Sequence, residues 1–142
     1  MAMVAFHEYF PELAQKEVRS AILKDEGELP EDEYMFVESY CDEPDCDCRR
    51  VLLNVMSRKR QKFEAVISYG FDRNGDMPGP FLDPINPLGE YAEAVLGLSK
   101  FVLSDLRYVA RLERHYQMFK AACKGPRIEK KWWKRKRKKP KR

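Results

Sequence analysis

Three of the chain's four cysteines, Cys41, Cys46 and Cys48, fall within eight residues of one acidic turn, Tyr40 to Arg50. A strand-like apolar run enters that turn and another leaves it. A tight turn between two strands can present several thiols to a single point. Zn²⁺ takes thiolates and imidazoles in a tetrahedron, with Zn–S near ~2.3 Å. The spacing is Cys-x4-Cys-x-Cys rather than the common Cys-x2-Cys pair. Pro44 helps to turn the chain, and Asp42, Asp45 and Asp47 can cap backbone N–H groups there. A metal-binding hairpin is the expectation, with zinc as the ion. The fourth ligand must come from elsewhere, and Cys123 and His115 are the foremost candidates, Cys123 ahead on ligand chemistry. Three thiolates with water in the fourth position are the other option.

Each plainer account of these cysteines meets a difficulty. Free cysteines often pack as small apolar groups, but three beside four acids in a turn are not core-like. A Cys46–Cys48 disulfide would close a strained ring. Met1 to Phe10 has neither the basic start nor the apolar run of a secretory signal. The expectation is therefore a reducing, cytoplasmic setting, which favours metal over disulfide. Asp42, Glu43, Asp45 and Asp47 disfavour a thiolate, which argues against an activated nucleophile.

With 142 residues the chain is long enough for one modest core. Its net charge of +4 conceals a division. Residues 1–123 carry 15 Lys and Arg against 22 Asp and Glu, whereas residues 124–142 carry 12 Lys and Arg against one Glu. The division predicts an α+β metal-binding domain over 1–123 and a disordered basic tail over 124–142.

Within the domain, Met1 to Leu23 reads as one or two helices, with Pro11 in the first turn of the second. Lys24 to Asp32 is a connection broken by Gly27 and Pro30. Period-two alternation then predicts three strands, Glu33 to Cys41, Arg50 to Met56 and Lys62 to Phe71. Their short connections make a three-stranded antiparallel meander, with the cysteine turn at one end and the basic turn Ser57 to Gln61 at the other. Asp72 to Asp76 is read as a turn around Asn74-Gly75, since a calcium loop would need a different glycine position and a later glutamate. At most a short edge strand is expected at Phe81 and Leu82, among four prolines. Leu88 to Cys123 reads as helix in two pieces, the second capped by Ser104-Asp105. Its stripe is expected to be Leu106, Val109, Leu112, Tyr116, Phe119 and Cys123, with Arg107, Arg111, Arg114 and Lys120 off its centre. N-terminal and C-terminal helices would thus cover one face of the meander.

Tyr-Cys-x4-Cys-Asp-Cys-Arg-Arg-Val, from Tyr40 to Val51, is followed downstream by Arg-Leu-x2-His-Tyr-x2-Phe-Lys, from Arg111 to Lys120. This pair of segments resembles a group of poorly characterised bacterial proteins related to carriers of the SEC-C zinc motif, a cysteine-rich tail also seen on the SecA translocation ATPase. The chain departs from that pattern after Lys124, where a lysine-rich tail stands in place of Cys-x-Cys and Cys-Cys. The resemblance implies metal binding by Cys41, Cys46 and Cys48. It also draws attention to His115, which lies inside the matching segment while Cys123 does not. It implies no reaction.

The tail holds Lys130, Lys131, Trp132, Trp133, Lys134, Arg135, Lys136, Arg137, Lys138 and Lys139. Such a segment releases counterions when it binds phosphates, and its tryptophans can stack on unpaired bases. Nucleic acid, RNA before DNA, is the favoured partner; an anionic membrane surface ranks below it. The reading of the whole chain is a small non-catalytic zinc module tethered to nucleic acid. One rival is a metal-assisted hydrolase with an open zinc position and Glu38, Asp42 or Asp47 as base. Another is an adaptor that binds a protein partner through an exposed sheet face or the proline-rich segment.

Overall fold

The computed structural model describes residues 3–24, 27–75, 77–84 and 89–124; the expected basic tail lies outside them, Lys124 apart. The elements run β1 (Met3–Ala5), α1 (Phe6–Tyr9), α2 (Pro11–Glu17), β2 (Arg19–Leu23), β3 (Asp32–Cys41), β4 (Arg50–Ser57), β5 (Lys62–Gly70), β6 (Phe81–Leu82), α3 (Ala92–Val102) and α4 (Leu106–Lys124). The class is α+β. Among the described residues the sheet is antiparallel and has six strands, so the expected three-stranded meander, β3-β4-β5, is only its middle.

The extra strands have identifiable causes. β6 pairs Phe81 and Leu82 with Ser68 and Ile67. β1 and β2 come from the stretch expected to be helical throughout. Both pair with β3, β1 against Ser39 to Cys41 and β2 against Asp32 to Phe36. Short apolar runs do not distinguish helix from strand by period alone. Here the unpaired edge of β3 decides, because its backbone groups need partners.

Alternation along the central strands sorts their residues between two faces. Tyr34, Phe36 and Tyr40 of β3, Val51, Leu53 and Val55 of β4, and Ile67 of β5 are fully buried on one face. Helices α1, α3 and α4 pack on the sheet. Tyr108, Leu112, Tyr116 and Phe119 of α4 complete the core. Each large apolar side chain buried there contributes about 1.5–3 kcal/mol.

The α4 stripe differs in phase from the expected one. Leu106 is 72% exposed, while Tyr108 and His115 are buried. Asp105 caps the helix as expected, its carboxylate accepting the N–H of Arg107 at 3.0 Å. Lys120, expected off the stripe, is also buried. At the far end of the sheet, Asp32 organises the β4–β5 turn. It accepts the Ser57 hydroxyl and the backbone N–H groups of Glu33 and Lys59.

Candidate metal centre

The cysteine turn joins β3 to β4, with Cys41 as the last residue of β3. Cys41 is buried, Cys46 and Cys48 are half-buried, and all are free thiols. The three sulfurs lie within 4.8 Å of one another. A tetrahedral zinc with ~2.3 Å bonds holds its sulfurs about 3.8 Å apart. The donors therefore stand no more than about 1 Å from the spacing such an ion requires, and thiolate softness suits zinc. Burial, then the neighbouring Cys46 and Cys41, push the Cys48 thiol up to about 11. Burial likewise raises Cys41, opposed in part by the Glu43 backbone N–H and then by Lys120.

Helix α4 holds the turn at both limbs. Lys120 Nζ donates to the Glu43 carbonyl at 2.7 Å. Tyr116 donates to Asp47 Oδ1 at 3.0 Å and accepts the backbone N–H of Arg49 at 3.0 Å. Arg49, in the left-handed region at φ 49°, pairs with Glu113 at 3.3 Å. Helix α4 therefore fixes the backbone of both limbs between which the thiols sit.

The two candidate fourth ligands are placed elsewhere. Among the described residues, neither Cys123 nor His115 joins the group of mutually close donors. Cys123 is buried near the end of α4 and hydrogen-bonds the Tyr9 phenol. His115 is fully buried and lies between two carboxylates, its Nδ1 2.7 Å from Glu38 Oε1 and its Nε2 2.7 Å from Glu17 Oε1. Phe6 stacks on the imidazole with ring centroids 4.2 Å apart. Both contacts are hydrogen bonds only if both ring nitrogens carry hydrogen or one carboxyl supplies a proton.

Glu38 also accepts the Tyr40 hydroxyl at 2.7 Å. Of the three candidate bases, Glu38 is thus engaged by His115 and Tyr40, and Asp47 by Tyr116. Lys120, Glu17 and the partnership of Glu38 escaped sequence reasoning. One signal was available: Glu38 shares the alternating face of Tyr34, Phe36 and Tyr40, where a carboxylate needs a buried partner.

No protein-family model matches the chain, and no curated protein or solved structure matches it either. The resemblance to relatives of SEC-C carriers therefore rests on its two quoted segments alone. Among the described residues, no helix is long and apolar enough to cross a membrane.

Proposed function

We propose that the chain is a small non-catalytic zinc-binding module, braced by metal at its cysteine turn and tethered to nucleic acid by its basic tail. The observation that carries the metal reading is the convergence of Cys41, Cys46 and Cys48 within 4.8 Å. The grip of Tyr116 and Lys120 on the same turn supports a bracing role, since an ion there would close the β3–β4 turn that α4 already holds. Zinc is favoured by the all-sulfur donor set and by the resemblance of Tyr40 to Val51 to SEC-C relatives. The tail reading rests on 12 Lys and Arg with two tryptophans in residues 124–142; RNA is favoured over DNA.

Elemental analysis of the purified chain should find about one zinc per molecule, and Cys46→Ser should lose it. Chelation should lower the melting temperature sharply, because binding energy at a structural site is folding energy. A melt unchanged after verified metal removal contradicts bracing. Deleting residues 125–142 should abolish salt-sensitive RNA binding; equal binding by the truncated body contradicts the tether.

One observation favours a second reading, the adaptor. The sheet face opposite the helices carries half-buried Met35, Val37, Leu52, Met56 and Val66. None of these packs with the core, and Ile22 and Phe63 on the same face are 73% and 51% exposed. The open face of an antiparallel sheet is normally polar. Met35→Lys with Val66→Glu should leave the melt intact and abolish binding to any protein partner that uses this face.

A further inference from the structure

The edge beside β3 is broken. β1 reaches as far as Ser39 and β2 as far as Phe36, while α1 and α2 carry the chain outward between them. At the break lies a cleft of about 330 Å³. Phe6, Pro11, Ala14, Val18 and Phe36 give it apolar walls, and Glu38 lines it too. None of the cleft's residues is a cysteine, so this site is separate from the metal centre.

Glu38 is the polar feature of the cleft that demands an explanation. Its side chain is only 5% exposed. Oε1 accepts the Tyr40 hydroxyl and lies 2.7 Å from His115 Nδ1. Among the described residues no donor reaches Oε2, yet it is not among the sealed, unpartnered atoms as Oε1 of Glu64 is. The Glu38 carboxylate is held in place by His115, which Glu17 and Phe6 fix in turn. A preorganised, nearly dry carboxylate with one spare oxygen is a receptor for a donor group. An ionised carboxylate can only accept, and a cationic donor gives it the shorter and stronger bond.

We propose that this cleft binds a small protonated amine with a compact apolar body, the ammonium donating to Glu38 Oε2. The walls suit an aliphatic body, and the volume lies at the small end of ligand pockets. An anion of the same size meets Glu38 and is repelled.

The test is an amide NMR titration of the full-length, metal-loaded protein with n-butylammonium, n-butanol and butyrate. The ammonium should shift Phe6, Ala14, Val37 and Glu38 saturably. The alcohol should bind about tenfold more weakly or worse, and butyrate not at all. Glu38→Gln should weaken the ammonium by about tenfold or more. Because that change also touches His115, Gln15→Trp is the second variant. Gln15 is an exposed residue of the cleft, so the indole fills the cleft from outside and should block the amine without disturbing the buried network. Equal binding of all three probes, or of the amine to both variants, overturns the proposal.

Discussion

Tyr116 and Lys120 stand one turn apart on α4 and grip opposite limbs of the cysteine turn, Lys120 at the Glu43 carbonyl and Tyr116 at Asp47 and Arg49. Residues four apart share a helix face. A single helical turn therefore sets the separation of the two limbs, and with it the spacing of the sulfurs.

Lys120→Met keeps the apolar stem and removes the charged donor. It should cost about 1.5–3 kcal/mol of folding stability, the range for a hydrogen bond involving a charged group. Tyr116→Phe should cost about 1 kcal/mol. Urea denaturation of the metal-loaded protein reads both, and the double variant should depart from additivity because the two act on one turn.

Metal uptake should release protons. The Cys48 thiol stands at about 11 and Cys41 is also raised, so these two thiols are protonated at pH 7. Thiolates are the ligands. Zinc loading at that pH should release at least about two protons per ion if Cys41 and Cys48 both bind. Calorimetry in buffers of different ionisation enthalpy measures this number, and a release of one proton or none contradicts a three-thiolate site.

His115→Leu should be among the most damaging single changes outside the cysteine turn. It removes the shared partner of Glu17 and Glu38 from a fully buried position. Stranding one partner of a buried pair costs about 3–5 kcal/mol, and the lower end applies because Glu17 is 27% exposed. Adding Glu38→Gln to His115→Leu should cost less than the sum of the two single effects, as a double-mutant cycle reads it.

Acid should unfold the protein partly through Glu17 and Asp32. The His115 hydrogen bond, with Arg114 and against burial, holds Glu17 below its usual 4.5. Burial pushes Asp32 up, but Ser57 and the N–H groups of Glu33 and Lys59 outweigh it, so Asp32 lies below 3.8. A carboxyl lowered on folding gives stability that is fully present above its unfolded value. That stability is lost as the pH falls through the folded value. Glu17→Gln and Asp32→Asn should each lower stability at pH 7 and flatten its decline, below about pH 4.5 for Glu17 and below about 3.8 for Asp32.

The middle of the sheet was legible because period-two alternation is a local signal, and β3, β4 and β5 carry it plainly. The cysteine group was legible for the same reason, its three members lying within eight residues. The N-terminal strands were not, because three to five residues hold too little period to compete with a helical reading. On α4 the stripe was found with its phase displaced, since Leu106 was counted as core and Lys120 as surface. The polar chain through His115 lay beyond reach: its partners Glu38 and Glu17 are 77 and 98 residues away, and only the packed fold brings them together.

The borders of the sheet have a bearing on how this protein behaves when concentrated. One border is the two-residue β6, with Pro80 and Pro84 close by in the sequence; the other is a pair of short strands parted by two helices. Among the described residues these outer strands are short, whereas a neighbouring copy needs a long straight row of free amide and carbonyl groups to add itself as another strand. Fibrous self-stacking is thus discouraged by architecture, independently of whether the thiols hold an ion.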